Sequence, residues 1–491
     1  SAQSDPGDYE FDESHDFDEL IDGLFRARVL GKFVTHMFPF MADRTSGAVP
    51  KPRDGSWDLL YNIVIAIGAF AGGLVDTNID LTYYNIAKDS ISLSLLEKGS
   101  ICYVQGLALM ANYLQKRNKP NAGFAMIGIA WSMALSIGLH REFDSPSASV
   151  YNMEIRRRTW WTLFVFVSGH QLTFGRPPAS LIGINLGPPT NLDDKDLAVD
   201  MFSLPAARDG PTTATALVAQ IKLASIGNMV QSELLTHQVP ALETAQHLDQ
   251  QITTWLAELP AYYDLKITLS MRFELAKRIL IWRSYHLRIV LFRPFLFRAV
   301  AKNARLSPDD RGVWTCIETA DTCVDSVHNF VTNNTDCRRG FAWYATYWLL
   351  TASVVHATCL AYAPNHVSRD GWRNKLELAV QALCQLSRAQ SMADHAQKVL
   401  SRLLGISSSS ATSATPSMQP NDQWHAVGNA TSANPGDGSH PANDIQEMLD
   451  PILMSENMAV PNTSADLLWL WSQSADTDFL DAAGNFMLQN N

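Results

Sequence analysis

Apolar side chains recur at helical spacing through the middle of the chain, and strand-like alternation is rare. Positions three and four apart share one helix face, so the pattern predicts helices separated by short polar breaks. The predicted helices span residues 54–75, 79–96, 99–117, 120–140, 151–174, 213–236, 241–258, 266–301, 307–332, 341–362 and 370–404. We therefore predict an all-α fold, with one large multi-helix domain over residues 23–404.

One uncharged segment, residues 343–363, contains no Asp, Glu, Lys or Arg and is long enough to span a bilayer. The same segment also contains four Thr or Ser residues, three Tyr residues and His356. This polarity is more typical of a central buried helix in a large helical protein. We predict such a helix, and we expect no membrane association.

Charge is distributed unevenly along the chain. The net charge of −11 argues against a globally basic nucleic-acid-binding protein. Residues 1–22 hold nine carboxylates and residues 403–491 hold ten, while neither stretch contains Lys or Arg, so residues 23–402 carry +8. The pattern indicates a mildly basic folded body between acidic, disordered tails, with residues 1–22 as a disordered lead-in.

The C-terminal part divides into two segments of different composition. Residues 405–443 are rich in Ser, Thr, Ala, Asn, Pro and Gly, which is typical of a low-complexity linker. Residues 444–491 combine acids with large apolar side chains. Its candidate functional residues are Leu467, Leu468, Trp469, Leu470, Trp471, Asp476, Asp478, Phe479 and Leu480.

If this last segment is helical, Leu467 and Trp471 share a face at i,i+4 spacing. The segment has too little apolar surface to fold alone, but a groove on a partner protein could accept that face. Its acids would keep the free segment soluble. The alternative is a C-terminal helix that is docked permanently on the body.

Signatures of common enzyme classes do not occur in the sequence. There is no phosphate-binding G-x-x-x-x-G-K-[ST] loop, G-x-G-x-x-G fingerprint, H-E-x-x-H or G-x-S-x-G. Asp193 and Asp194 lie in a polar loop, where we expect them to be solvated. Cys316 and Cys323 lie in a predicted helix without a C-x-x-C pair, which favours buried thiols. We predict no enzyme activity, no catalytic residue, no metal ligand and no cofactor in this chain.

Three short motifs follow one another between residues 127 and 178. Their residues are Gly138, Leu139, His140 and Arg141; Glu154, Arg156, Arg157, Arg158, Trp160 and Trp161; and Gly175, Arg176 and Pro177. The glycines suit helix ends, and His140 is placed to favour C-terminal carbonyls. Arg176 is expected to cap carbonyls or to bridge helices.

The central motif begins a predicted helix with a charged turn. Glu154 is spaced to pair with Arg157 or Arg158, and we expect at least one of Trp160 and Trp161 to be buried. Consecutive helical residues point about 100° apart, so the three arginines do not form one DNA-reading surface. A surface arginine run over a core helix and a phosphate-binding patch both remain open interpretations.

In this order, the motifs resemble the fungal-specific transcription factor domain, the middle homology region of fungal binuclear zinc cluster regulators. Residues Ala111–Phe124 and Trp282–Phe297 are similar to its galactose-regulator branch. The resemblance covers about residues 25–404.

The resemblance implies a nuclear transcription activator that controls sugar or plant-polysaccharide utilisation. It implies coactivator or mediator-type partners for the acidic tail, and a repressor protein or a small-molecule inducer for the helical domain. Members are often dimeric, so a homodimer is also expected. Most of the motif residues are expected to be structural.

The sequence departs from the family pattern in one respect, since it contains no six-cysteine zinc cluster. Zinc is therefore expected only in the family's N-terminal DNA-binding module, and we assign no DNA-contacting residue here. We expect this chain alone to bind CGG-containing DNA no better than random DNA. Two other classes remain open: a helical enzyme or small-molecule-binding protein with an interhelical pocket, and a non-activating structural scaffold.

Overall fold

The computed structural model describes residues 55–72, 78–92, 97–143, 149–302, 305–334 and 339–405. Over these residues the chain forms twelve α-helices and no strand, which confirms the all-α fold class. The helices are α1 (Ser56–Gly72), α2 (Ile79–Asp89), α3 (Ile101–Lys116), α4 (Pro120–Ser136), α5 (Val150–Thr173), α6 (Thr215–Thr236), α7 (Leu242–Glu258), α8 (Met271–Ala301), α9 (Arg311–Asn333), α10 (Arg339–Tyr362), α11 (Arg369–Leu386) and α12 (Ser391–Leu403).

The stretch predicted as one helix over residues 370–404 forms two helices instead. Helix α11 ends at Leu386, and Gln390 has an extended backbone with φ −147° and ψ 119°. The amides of Ala389 and Gln390 both donate to the carbonyl of Leu386, which closes the turn. Apolar residues continue on both sides of this turn, so the helical period does not reveal the break.

Two hydrophobic cores organise the helices. The first is built mainly from α1, α3, α4 and α5, and the second from α7 to α12. Helix α6 belongs to both, because Leu217 and Ala224 pack into the first core while Leu223 and Ile226 pack into the second. Helix α10 also contacts α1, so the two cores meet along α6 and α10.

Helix α10 is the central buried helix that the sequence predicts. It contacts α1, α8, α9, α11 and α12, and nineteen of its residues are buried. Its polar side chains are accommodated because the hydroxyls of Thr351, Ser353 and Thr358 donate to carbonyls one turn earlier. Among the helices described here, none is long and apolar enough to cross a bilayer.

Candidate functional site

A buried ion pair occupies the first turns of α5. The side chains of Glu154 and Arg158 are fully buried, and Arg158 Nε lies 3.0 Å from Glu154 Oε1. Arg158 Nη1 also donates to Asp194 Oδ1 at 2.6 Å, and its Nη2 donates to the carbonyl of Leu192 at 3.0 Å. The amide of Thr190 donates to Glu154 Oε1 at 3.2 Å. The pair therefore attaches the loop after α5 to the start of the helix.

This arrangement corrects the expectation that Asp193 and Asp194 are solvated. Asp193 is buried, and its Oδ1 accepts from the amide of Thr213 at 3.1 Å. Asp194 Oδ1 accepts from Arg158 and from the Thr213 hydroxyl. The loop folds back onto α5, so both carboxylates become part of an internal polar network. The interpretation of a surface arginine run is wrong for Arg158 for the same reason.

Arg156 and Arg157, which precede Arg158, contact the segment that follows α4. Arg157 forms an ion pair with Glu142, and Arg156 Nη2 donates to the carbonyl of Gly138 at 2.6 Å. The Arg156 guanidinium also lies 4.7 Å from the ring centroid of Phe143. Each arginine thus contacts a separate partner inside the protein. This gives no support to a phosphate-binding patch on this helix.

The motif glycines close two helix ends in the same way. Gly138 and Gly175 have φ of 65° and 59°, in the left-handed region that favours glycine. In each turn the glycine amide donates to the carbonyl three residues earlier, that of Leu135 or Leu172. The next amide along the chain donates to the carbonyl five residues earlier. These are Schellman motifs, which satisfy the last carbonyls of α4 and α5.

Two motif side chains lie differently from the sequence expectation. His140 does not cap α4, because the backbone amides that follow the helix already donate to its last carbonyls. The His140 ring lies 5.8 Å from that of Trp160. Arg176 neither caps nor bridges with its side chain, which is exposed and forms no hydrogen bond to the described residues. Its backbone supplies the contacts, donating to Gln171 and accepting from Gln231. Neighbouring Pro177 is exposed as well.

The remaining motif residues are core residues. Leu139 and Trp160 are fully buried, and the Trp160 ring packs 4.7 Å from that of Trp131. Trp161 is buried too, and its Nε1 donates to the carbonyl of Gly187 at 2.7 Å. Arg141 Nε donates to His140 Nε2 at 3.2 Å. Most of the motif residues therefore connect α4, α5 and the loop after α5 to one another.

We predict opposite effects from two Gly→Ala changes near α4. Gly138→Ala should lower the free energy of unfolding by about 1 kcal/mol or more, because alanine disfavours a positive φ. Gly128→Ala, at an exposed helical position with open space around it, should raise stability by about 0.5–1 kcal/mol. Urea denaturation of both variants provides the measurement. Equal effects would contradict the role given to the Gly138 turn.

A cavity of about 80 Å³ lies where the two cores meet. It is lined by residues of α3, α5, α6, α8 and α10, and it opens partly to the surface. Its wall includes Arg283, Gln220, His286, Trp343, Tyr344 and Tyr347. An interhelical pocket is compatible with the sequence, but these residues come from separate helices and form no motif that would point to it. Besides the motif network, this cavity is a candidate ligand-binding site.

The surroundings of Cys316 and Cys323 do not suit a zinc site. Cys316 and Cys323 are fully buried, and burial raises the pKa of each thiol to about 12, which disfavours the thiolate that zinc requires. Across the described ranges, no three His, Cys, Asp or Glu side chains are grouped to hold a metal ion. The described residues therefore provide no fitting ligand set for the family's zinc.

The acidic C-terminal candidates lie outside the described residues, as do the lead-in 1–22 and the linker after Gly405. Leu467, Leu468, Trp469, Leu470, Trp471, Asp476, Asp478, Phe479 and Leu480 therefore remain sequence-based candidates.

Comparison with known proteins shows a family similarity for the first part of the helical body. Residues 54–255, which include the buried motif network, match the family model of the fungal specific transcription factor domain. This part of the helical body is therefore similar to a domain class found in fungal transcription regulators.

Relatives of the chain are named as regulatory proteins or as an activator of genes. The lactose regulatory protein LAC9 of Kluyveromyces lactis is 27% identical over 366 residues, or 70% of this chain and 38% of LAC9. The activator of stress genes 1 of Saccharomyces cerevisiae is 25% identical, over 50% of this chain and 26% of that protein. The thiamine repressible genes regulatory protein thi1 of Schizosaccharomyces pombe is 22% identical, over 52% and 32% respectively. The chain therefore matches well under half of each relative.

Proposed function

We propose that this chain is the regulatory and activating part of a fungal transcription activator. The observation that carries the proposal is the match of residues 54–255 to the fungal specific transcription factor domain. Relatives with regulator names support it, and they favour a nuclear regulator over an enzyme. DNA contact would come from the family's zinc module rather than from these residues, and coactivator or mediator-type proteins would bind residues 444–491.

The proposed mechanism is a shift between two states. A small-molecule inducer or a repressor protein binds the helical body or the tail, and thereby exposes or masks residues 444–491. Control of sugar or plant-polysaccharide genes is the proposed output, supported by the similarity to the lactose regulator. A homodimer of the helical body is part of the proposal, as in many members of the family.

A reporter assay tests the activating role. We expect changing Trp469, Trp471 and Phe479 together to Ala to abolish activation by a fusion to an unrelated DNA-binding domain. The large apolar side chains are the groups that a coactivator groove would bury. The melting temperature of the helical body should not change.

Trp424→Ala provides the matched control, because Trp424 lies in the linker segment 405–443. This variant should activate like the parent. Full activity of the triple variant would overturn the activation role. A large fall in its melting temperature would instead support a permanently docked C-terminal helix.

A further inference from the structure

Two cationic side chains lie beside the interhelical cavity. Arg283 of α8 lines the cavity, and Gln220 Oε1 accepts a hydrogen bond from its Nη1 at 2.6 Å. Lys116 of α3 is only 3% exposed, and its Nζ lies 5.0 Å from the ring centroid of Tyr344, another lining residue. Its amine donates to the side-chain carbonyl of Asn112. Positive charge is therefore concentrated at one place inside the fold.

This charge has no anionic partner within the described part of the chain. Neither Arg283 nor Lys116 forms an ion pair with a carboxylate there. No lining residue is acidic, and helices α3 and α10 contain no Asp or Glu. Burial lowers the pKa of both cations, to about 10 for Arg283. Lys116 is buried and Arg283 is half-buried. Withdrawing a cation from water without a counter-ion is costly, so such groups in proteins are usually paired.

The lining histidines add no charge of either sign. Burial lowers the pKa of His286 to about 3, with nearby Arg293 and Arg283 acting in the same direction. Burial likewise lowers the pKa of His170 to about 4, and its Nδ1 lies 2.8 Å from the carbonyl of Phe166. Both imidazoles are neutral at physiological pH. The charge beside the cavity is therefore positive, from Arg283 and Lys116 with Arg293 close to His286.

The rest of the wall is apolar and aromatic. Trp343 and Tyr347 stack in parallel with centroids 5.6 Å apart, and Val165, Phe166 and Ile279 complete the apolar side. A cavity of about 150 Å³ accommodates benzene, so one of about 80 Å³ has room for a carboxylate and a few carbons. The open end allows a longer acid to extend outward. A phosphate dianion would need more donors than a single lining guanidinium with neutral neighbours.

We propose that this cavity binds a small organic carboxylate, with its carboxylate on Arg283 and its apolar body against the aromatic rings of α10. The lining comes from both cores, since Val165 and Phe166 belong to the first and Trp348 to the second. A ligand in the cavity would therefore contact both cores at the place where they meet. Its role as an effector site rests on the proposed transcriptional function.

Calorimetric titration of the purified 491-residue chain with propionate and butyrate, at constant ionic strength, tests the site. We expect saturable binding of at least one acid and at least tenfold weaker binding of its neutral amide. Arg283→Met should weaken binding at least tenfold, whereas Arg283→Lys should retain the preference for the acid over the amide. The matched control is Arg288→Met, because Arg288 lies on the same helix and pairs with Asp249 instead.

Each other outcome contradicts the proposal. Equal affinity for acid and amide would show that the charge is not used, and unchanged binding in Arg283→Met would place the ligand elsewhere. Tight binding of inorganic phosphate without binding of either acid would overturn the ligand class, and binding of neither would overturn the site. Circular dichroism confirms that the variants are folded. The titration uses no reporter, so the carboxylate site and the transcriptional role can fail independently.

Discussion

Arg158→Met is expected to lower the free energy of unfolding by about 3–5 kcal/mol, because it leaves Glu154 buried without its partner. The guanidinium also donates hydrogen bonds to Asp194 and to the carbonyl of Leu192, so the substitution removes two contacts that attach the loop after α5. Urea denaturation at pH 7 measures the loss.

The loss should also depend on pH. Burial already raises the pKa of Glu154, and Arg158 opposes that rise. Without Arg158, the carboxyl group takes up a proton more readily, so the loss should shrink as the pH falls.

Two further variants separate the buried ion pair from surface charge. Arg157→Met changes the neighbouring arginine, whose side chain is 22% exposed, and should cost about 1 kcal/mol or less. The double variant Glu154→Leu with Arg158→Met should be more stable than Arg158→Met alone, since no unpaired buried charge remains. Equal losses for Arg157→Met and Arg158→Met would contradict this account.

Trp160→Ala is expected to cost about 3–5 kcal/mol, because it removes the largest fully buried side chain of α5. The indole packs against Trp131 and His140. Its loss therefore leaves a cavity between α4, α5 and the turn that follows α4. Thermal and urea denaturation of the variant provide the measurement.

Trp160→Phe is the matched control for this change. It keeps an aromatic ring against Trp131 and removes the indole N–H, which has no hydrogen-bond partner among the described residues. The cost should therefore be clearly smaller than that of alanine. If Trp160→Ala and Trp161→Ala both melted like the parent chain, the placement of α5 in the first core would be wrong.

Helical spacing was sufficient to predict most of the helices. Each of α1 to α10 overlaps one predicted segment, because a helix that packs on a core must repeat apolar residues every three to four positions. Boundaries were less accurate, as α2 shows: it ends at Asp89, seven residues before its predicted end at 96. The break at Gln390 was missed because local hydrogen bonds to Leu386 close that turn without any glycine or proline signal.

Motif spacing was equally informative about local pairing and about the family. The i,i+4 relation between Glu154 and Arg158 follows from helix geometry alone, so the sequence carried it directly. The same reasoning failed for Asp193, Asp194 and Arg176. Whether a loop side chain is solvated depends on where the loop folds, and residues 187–194 return to α5 through contacts that no local pattern encodes.

The amino-acid sequence was enough to establish an all-helical body, its two acidic ends and its resemblance to fungal transcription regulators, because composition and short periods are local properties. The cavity between the cores depends instead on α3, α5, α6, α8 and α10 meeting in space. Arg283 and Lys116 are separated by more than a hundred and sixty residues, and each looks like an ordinary helix cation in the sequence. Only tertiary packing places them beside one cavity and keeps carboxylates away from it, which makes the pair an anion-binding candidate.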